Sequence, residues 1–526
     1  MNKKIYILAC LFIAQYAVAQ TPEDALRMTW TTPSGTARHQ AIGGAMGSLG
    51  GEITSTFTNP AGLGFYKNPE FVLSPGFRFL RTKGSFRGSD PMSLSQANGF
   101  SLGTSGLIWA WNSKYNKWKN NSMSIAINNM ANFKHDIYYS GSNDYSSFSE
   151  NAANEFFNFY SQQKNANPGL SNNEIIDRAL NDPNVTLFTK QALFTYLVDV
   201  DTANGRNTVI SRAEQPSVLN QENHISTKGG ITEIAIGFAA NMDDRVYLGG
   251  SIGVPIISYN RTSTFTESDA TGTGNNEFSS AKYTEKYKVS GVGVNLKLGL
   301  ILKPVEYVRL GLAIHSPTLY GLKDNYSSSL TTDIDAAPGA VKVFTANSAD
   351  LLNGKDLSFN YDLVTPLKVM VSVSYVLREI QDVRKQRGFL TADVEYTNYK
   401  WSSFSAADEN GDNSYYKGVN SDIKDAYKSA FNFRAGGELK FNTIAGRLGF
   451  AYYGSPYKDK DLKARRMYIS GGLGYRNKGM FIDLTYVHQL NKDVNFPYRL
   501  TAPRQNTFAT LKETGGNVML TVGIKI

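Results

Sequence analysis

Cysteine and histidine are scarce in this 526-residue chain. The one cysteine, Cys10, lies in a short N-terminal segment with the features of an export signal, so the rest of the chain has no thiol. This excludes an internal disulfide, a cysteine nucleophile and a cysteine-ligated metal site in the exported protein. The five histidines are scattered without metal-ligand spacing, so we expect neither a metal nor any other cofactor.

The N-terminal segment has the layout of a cleaved signal peptide. Two lysines precede an apolar run from Ile5 to Ala17, and Ala17-Val18-Ala19 has the small-x-small pattern of a cleavage site. We expect residues 1–19 to be removed and the mature chain to begin at Gln20. The alternative is a lipoprotein signal ending at Cys10. It would leave only about five apolar residues before the cysteine, fewer than the 7–15 that such a region needs.

Long apolar runs are absent beyond the signal peptide. No stretch reaches the roughly 18 apolar residues that a membrane-spanning helix requires, and the mean hydropathy of the chain is −0.31. Residence in an inner membrane is therefore disfavoured. A closed β-barrel remains compatible, because each strand needs only about 9–11 residues and exposes every second side chain to lipid.

Alternation of apolar and polar residues with a period of two is the dominant pattern in the sequence beyond the signal peptide. In the C-terminal segment Val518, Leu520 and Val522 fall on one face, whereas Asn517 and Thr521 fall on the other. Short and long links alternate between such segments, as periplasmic turns and external loops do in bacterial barrels. The pattern predicts about fourteen strands, near residues 70–81, 99–111, 122–132, 229–241, 246–259, 283–302, 306–320, 357–377, 388–401, 427–441, 446–457, 466–477, 479–491 and 514–526.

These segments together predict an all-β transmembrane barrel of antiparallel strands in the outer membrane. A soluble two-sheet sandwich is the alternative, since its strands also alternate between apolar and polar residues. Charges of both signs in the middle of strands, such as Asp393, Arg434 and Glu438, are typical of a polar barrel lumen. The alternating loop lengths favour the barrel further.

The longest predicted loop, residues 133–228, contains the helical patterns of the chain. Ser171 and Glu174 form a capping box before one helix, and the segment from Leu187 to Leu197 is apolar on almost every side. Packing of these helices against one another is one interpretation of their apolar residues. A ligand-capturing groove on the outer surface is the other. Its candidate residues are Phe156, Phe157, Tyr160, Phe188, Leu193, Phe194 and Leu197.

Residues 38–66 differ from the strand segments, because their glycines and Pro60 permit tight and irregular backbone. The segment ends in Asn59-Pro60-Ala61-Gly62-Leu63, and it resembles the plug, or hatch, of FadL-type outer-membrane transporters. Similarity to the same family continues in family order through residues 289–317, 365–377, 446–456 and 469–476.

The resemblance implies a fourteen-stranded barrel with an N-terminal hatch that includes Asn59, Pro60 and Ala61. We therefore predict a hatch over residues 20–68 and a barrel over residues 69–526. Members of the family carry long-chain fatty acids or aromatic hydrocarbons. The resemblance thus implies a hydrophobic small-molecule ligand that the external loops capture and that leaves sideways through the wall when the hatch shifts.

Two catalytic or metal-binding motifs are weak. Gly249-Gly250-Ser251-Ile252-Gly253 has the G-x-S-x-G spacing, but it lies inside a predicted strand and precedes Pro255 rather than a helix. Residues 408–412 resemble the start of a calcium loop, but Asn413 stands where glycine is required. We expect a plain polar turn there and no enzyme activity.

The net charge of the chain is +9, of which two charges belong to the signal peptide. Export makes a nucleic-acid partner improbable. A basic cluster in a predicted external loop is a candidate for lipopolysaccharide phosphates, and a solvated loop is the alternative. The cluster consists of Lys458, Lys460, Lys463, Arg465 and Arg466.

The first functional hypothesis is therefore passive transport of a hydrophobic small molecule through the outer membrane. The alternative is a FadL-like barrel that serves as a protein-binding component of secretion or surface attachment. Outer-membrane lipids and the barrel-assembly machinery are the other expected partners. The chain ends in Ile526 where such barrels commonly end in an aromatic residue, and an apolar last residue can still act as an assembly signal.

Overall fold

The computed structural model describes residues 21–30, 34–87, 93–112, 117–202, 207–274, 276–335, 342–378, 387–408, 411, 413–462, 464–501 and 503–526. The predicted signal peptide with Cys10 lies outside the described residues, as do Asn410 and Asp412 of the calcium-like turn. Within the described residues, no helix combines the length and the apolar character needed to cross a membrane.

The described chain contains 23 strands and seven α-helices. The strands are β1 (Glu70–Leu73), β2 (Pro75–Phe86), β3 (Ser93–Leu102), β4 (Ser105–Asn112), β5 (Trp118–Asn132), β6 (His135–Asn143), β7 (Val198–Asp201), β8 (Thr208–Ser211), β9 (Leu219–Met242), β10 (Val246–Asp269), β11 (Ser280–Val305), β12 (Val308–His315), β13 (Leu319–Asp333), β14 (Val343–Asn347), β15 (Leu357–Val364), β16 (Lys368–Leu377), β17 (Gly388–Asn398), β18 (Ser403–Ala406), β19 (Ser429–Phe441), β20 (Ile444–Tyr453), β21 (Arg465–Asn477), β22 (Met480–Asn495) and β23 (Ala509–Lys525). The helices are α1 (Pro22–Thr29), α2 (Ala37–Ala41), α3 (Glu150–Ala166), α4 (Asn172–Asn181), α5 (Leu187–Phe194), α6 (Ser348–Leu351) and α7 (Ser414–Ala426).

Fourteen antiparallel wall strands close into one barrel, which confirms the predicted fold. Eight of them are continuous, and six are interrupted so that each includes two elements: β1 with β2, β3 with β4, β5 with β6, β12 with β13, β15 with β16, and β17 with β18. The barrel closes where β23 pairs with β1 and β2. Closure satisfies the backbone groups that an open sheet would expose to lipid.

The links between wall strands also follow the predicted parity. At one end, tight turns at residues 243–245, 306–307, 442–443 and 478–479 connect neighbouring strands. The long links, with most of the helices, lie at the other end. Outer-membrane barrels have short periplasmic turns, so we take the end with long links as the extracellular one.

The predicted loop 133–228 is wrong at both of its ends. The strand β6 occupies its start, and the first ten residues of β9 occupy its end, so the helical loop runs from 144 to 218. Strands β9 and β10 have 24 residues each and β11 has 26, more than a membrane requires, so they continue above it. Their outward positions are polar, whereas their inward positions include buried apolar residues such as Ile225, Phe265 and Tyr287. The predicted strands therefore stop short at the extracellular ends of β9 and β10, where the lipid-facing apolar stripe is absent.

Apolar side chains form the outer surface and polar side chains line the interior of the wall. On β22, Ile482, Leu484 and Tyr486 are exposed, whereas Asp483 and Thr485 between them are buried. Inside, the Arg447 guanidinium donates from Nε to Glu438 Oε2 and from Nη1 to Asp483 Oδ1, each at 2.6 Å. The mid-strand charges of the sequence are therefore paired within the lumen.

The replacement Arg447→Met removes the guanidinium shared by two buried carboxylates, while Glu438 keeps Arg38 at 3.2 Å and Asp483 keeps Arg476 at 3.9 Å. We expect the free energy of unfolding to fall by about 3 kcal/mol, because both carboxylates stay buried with weaker pairing. The midpoint of thermal unfolding in detergent measures this loss. Lys458→Met is the control, since Lys458 and Asp425 form an exposed pair at 3.9 Å. Equal midpoints for the two variants would contradict the expectation.

Candidate functional site

The N-terminal segment 34–66, called the plug from here on, lies inside the barrel. Almost all of its residues are buried. Helix α2 contacts β20 to β23, and the 3₁₀ turn Pro60–Phe65 contacts β5, β9, β10 and β11 on the opposite side. The plug therefore touches the wall around most of the circumference. The boundaries of a hatch domain at residues 20 and 68 remain a prediction.

Asn59 connects the plug to two wall strands. Its Nδ2 reaches the carbonyl oxygens of Gly47, Leu300 and Leu312 at 2.5, 3.3 and 3.4 Å, and its Oδ1 accepts from the Ala61 N–H at 3.2 Å. Asn59 thereby caps the 3₁₀ turn. Pro60 suits the first position of that turn, where no N–H is needed. This geometry gives the Asn-Pro-Ala sequence a physical role.

Glycines of the wall allow the plug backbone to approach closely. A Cβ at Gly299 would lie 1.9 Å from Asn59 Oδ1, and a Cβ at Gly249 would lie 2.4 Å from the Pro60 carbonyl carbon. Across the barrel, a Cβ at Gly449 would lie 2.1 Å from the Gly43 nitrogen. Any side chain at these wall positions would overlap the plug. Sequence reasoning missed them, although each is a glycine on the inward face of an alternating strand.

Glu52 is the buried acid of the plug. Its carboxylate accepts hydrogen bonds from Thr36 Oγ1 at 2.6 Å and from Thr54 N and Oγ1 at 2.9 Å each. Burial raises the pKa of Glu52 to about 7, although these hydrogen bonds and Arg38 act in the opposite direction. The carboxyl group of Glu52 therefore titrates near neutral pH within the folded protein.

An aromatic chamber lies on the extracellular side of the plug and contains α1. Leu26 and Met28 of α1 are buried among tyrosines of the wall, and the Arg27 guanidinium lies 4.5 Å from the Tyr259 ring centroid. Arg466 donates to the Trp30 carbonyl at 2.6 Å and stacks on its ring. The chamber tyrosines include Tyr259, Tyr287, Tyr320, Tyr326, Tyr361, Tyr399, Tyr416, Tyr427 and Tyr457.

A cavity of about 60 Å³ lies between the end of α1 and the wall. Met28, Met130 and Ile231 form its apolar side. Its polar side includes Glu233, Asn295, Lys297, His315, Ser316, Thr318, Thr365 and Lys368. Lys297 forms an ion pair with Glu233 and also donates to Asn295 Oδ1 at 2.6 Å. The cavity therefore offers an apolar surface and a polar surface to the same ligand.

The wall has a discontinuity between β3 and β6. Within the described ranges, β3 pairs with β2 and β6 pairs with β9, and no ladder joins β3 to β6. A Cβ at Gly99 of β3 would lie 3.2 Å from Lys134 Cδ, so the Lys134 side chain spans this discontinuity. The interruption in the hydrogen-bonded wall lies toward its extracellular end.

The structure divides the seven candidate groove residues into buried and exposed ones. Phe156, Tyr160, Leu193 and Leu197 lie in the core of the helical loop. Phe188 is half-buried, with its ring 4.9 Å from that of Tyr283. Phe157 and Phe194 are 53% and 50% exposed. The seven do not share one surface, and their role in ligand binding remains a prediction.

The other sequence motifs have structural partners. Ser251 lies within β10, where its Oγ donates to the Thr56 carbonyl at 2.7 Å, so it is not at a strand-to-helix turn. The described residues contain no group of three or more His, Cys, Asp or Glu arranged to hold a metal. The basic cluster is divided, because Arg466 points inward to Trp30 while Lys458 is exposed. Lys463 lies outside the described residues.

The replacement Gly299→Val should displace the plug. The added side chain would overlap Asn59, and overpacking of this kind typically costs about 1–3 kcal/mol. We expect a lower midpoint of unfolding and faster proteolysis within residues 34–66. Gly446→Val is the control, because a Cβ at Gly446 meets no atom within 4 Å. Equal proteolysis of both variants would refute the close contact.

The replacement Glu52→Gln should remove a pH dependence of stability. The pKa of Glu52 is about 7 in the folded protein and is lower in the unfolded chain. The unfolded chain therefore loses its proton first as the pH rises. The wild-type protein should lose stability between pH values of about 4.5 and 7. The stability of the Gln variant relative to wild type should therefore rise from pH 5 to pH 8, as measured by the midpoints of unfolding. A constant difference would contradict this.

Solved structures of similar fold are known. A Pseudomonas aeruginosa FadL homologue matches with a TM-score of 0.50 and 13% identity, covering 94% of this chain and 99% of that one. The Pseudomonas putida toluene transporter TodX matches with a TM-score of 0.47 and 13% identity over 94% and 99%. The Ralstonia pickettii toluene transporter TbuX matches with a TM-score of 0.46 and 12% identity over 94% and 98%. A scan of protein-family models and a search of curated proteins find no match. The chain therefore has a FadL-type barrel fold, with its N-terminal segment inside the wall.

Proposed function

We propose that this protein is a passive outer-membrane transporter of hydrophobic small molecules, with long-chain fatty acids as the leading candidates. The observation that carries the proposal is the combination of a closed barrel, an interior plug and an aromatic chamber on the extracellular side of the plug. A water-filled pore would give an apolar ligand no advantage over bulk solvent. A chamber of aromatic side chains would stabilise it by about 25 cal/mol per Å² of apolar surface buried.

Capture at the extracellular loops is the first step of the proposed path. Phe157 on α3 and Phe194 on α5 expose their rings, and Tyr196 beside Phe194 is also exposed. The Tyr196 ring contacts that of Phe344 at 4.8 Å, which holds it near the surface. Exposed aromatic side chains on ordered helices offer an apolar molecule a site before it enters the barrel.

Movement into the chamber is the second step, and it requires α1 to yield space. The helix has eight residues and is held by few polar contacts, of which Arg499 with Glu23 is an exposed ion pair. Displacing its apolar side chains by a ligand exchanges one apolar contact with the tyrosines for another. The exchange therefore costs little free energy, in keeping with passive transport.

Release from the barrel is the third step. The discontinuity between β3 and β6 supports a sideways exit there, because separating these two strands breaks no ladder hydrogen bond. Movement of the plug contributes to the same step in this proposal. The many wall contacts of the plug favour a local shift of its N-terminal part over release of the whole segment.

Uptake of labelled oleate by cells without their own transporter tests the proposed function. We expect saturable uptake with wild type, and a several-fold higher KM with Phe157→Ser and Phe194→Ser combined, because the loop surface loses its apolar rings. The combined Phe157→Leu and Phe194→Leu variant is the control and should restore most of the uptake. The assay is repeated with toluene.

No saturable uptake of either compound by wild type would refute the proposed function. A stoichiometric protein partner that co-purifies with the chain and is lost on deletion of residues 147–200 would then favour the protein-binding alternative. Normal uptake by the Ser variant would refute only the capture step.

A further inference from the structure

Three neighbouring strand ladders are interrupted at the same level of the barrel, and a proline lies at each interruption. The β10–β11 ladder skips Pro255, running from Gly253 opposite Asn295 to Ile256 opposite Val292. Pro317 separates β12 from β13, and Pro366 separates β15 from β16. We call Pro255, residues 316–318 and residues 365–367 the proline window. A wall strand with proline has lost a ladder donor at that point.

Side-chain hydroxyls replace part of the ladder in the proline window. The Leu296 N–H donates to Ser316 Oγ at 2.9 Å, and the Thr318 N–H donates to Thr365 Oγ1 at 2.8 Å. Two backbone pairs remain, from Ser316 N to the Leu296 carbonyl and from Thr365 N to the Thr318 carbonyl. Donors facing lipid must be satisfied, so the window is closed. A hydroxyl can leave by rotation about one side-chain bond, whereas a ladder carbonyl cannot.

The cavity of about 60 Å³ lies directly behind the proline window. Ser316, Thr318, Thr365 and Pro366 belong to both the window and the cavity lining. Polar groups of Lys297, Asn295 and Lys368 line the same space, which is large enough for a small head group but not for an alkyl chain. A chain attached to such a head group must extend elsewhere.

Outside the barrel, the proline window lies close to the extracellular end of the apolar band. On the periplasmic side of the window, Leu312 and Ile314 of β12 are exposed. On the extracellular side, Val292 is the last exposed apolar residue of β11, and the outward positions farther from the membrane centre include Lys288 on β11 and Lys323 on β13. This is the level at which the head group of an outer-leaflet amphiphile meets its chain.

We propose that the proline window is a lateral opening of the wall. Through it a single-chain amphiphile keeps its polar head in the cavity while its apolar chain passes into the bilayer. The inference rests on the proposed function and adds a second exit to the discontinuity between β3 and β6. It also selects for ligands with a polar head, because a pure hydrocarbon would leave the polar side chains of the cavity desolvated and without a hydrogen-bond partner.

A disulfide across the proline window tests the opening. The mature chain has no cysteine of its own, so Thr318→Cys with Thr365→Cys provides a single pair. The two positions are neighbours across the strands, since the Thr365 N–H donates to the Thr318 carbonyl at 3.0 Å. Residues hydrogen-bonded in this way across antiparallel strands have Cα atoms about 5.5 Å apart, within the range that a disulfide spans. We expect oxidation to reduce oleate uptake by roughly fivefold or more, because opening then limits transport, and reduction to restore it.

The pair Leu312→Cys with Val371→Cys is the matched control. These residues face each other on β12 and β16, the same two wall strands, within an uninterrupted ladder. Its oxidation should leave oleate uptake unchanged. Comparing oxidised with reduced forms of each double variant removes the effect of the substitutions themselves.

Equal oleate uptake by the oxidised and reduced window pair would overturn the opening while leaving the proposed function intact. A second bridge distinguishes the two exits. It is made by a short thiol crosslinker between the cysteines of a Gly99→Cys and Lys134→Cys double variant, and it spans the discontinuity between β3 and β6. Loss of oleate uptake with this bridge alone would assign release to the discontinuity and overturn the window. If wild type takes up toluene but not oleate, the amphiphile path fails and hydrophobic transport stands. If it takes up neither, both fail.

Discussion

Hydrogen bonding of the backbone within a bilayer is the constraint on which the other features of this protein depend. The lipid interior has no water to satisfy an exposed N–H or carbonyl, so the sheet must close and each interruption must find a substitute partner. Closure of β23 on β1 and β2 fulfils the first requirement. At the interruptions beside Pro317 and Pro366, hydroxyl groups of Ser316 and Thr365 contribute to the second. A weak point in such a wall can therefore be recognised where side-chain atoms, rather than backbone carbonyls, accept the hydrogen bonds of backbone N–H groups.

The same constraint shapes the interior. A barrel of fourteen strands is too wide for its own side chains to fill, and the chain fills it with its N-terminal segment. Backbone lies against backbone where Gly249, Gly299 and Gly449 face the plug, since no side chain separates the two. Buried ion pairs such as Arg38 with Glu438 add contacts that are costly to leave unpaired. The plug is thus held by shape and by charge together.

The sequence predicts the wall well because each membrane-crossing strand separates lipid from a polar interior. The alternation of Ile482 and Leu484 with Asp483 follows from those two surroundings, since the apolar residues face lipid and the aspartate faces the interior. The prediction fails at the extracellular ends of β9 and β10, where the outward face meets water instead of lipid and the inward face packs against other parts of the protein. Of the interior site, the sequence indicates Asn59, Pro60 and Ala61 through family resemblance. It does not indicate the position of α1 or the inward direction of Arg466, because these depend on contacts between residues more than 200 positions apart in sequence.

The distance in sequence between the plug and its partners has a consequence for the order of assembly. The Ala37 N–H donates to Thr521 Oγ1, a partner 484 positions later in the chain, and the Gly43 N–H donates to Ser470 Oγ, 427 positions later. The N-terminal part of the described chain therefore completes these bonds only after the final strand has taken its place. Contacts between residues this far apart carry a large loop-closure cost and form late in folding, so the cylinder must close before its lumen is completely filled.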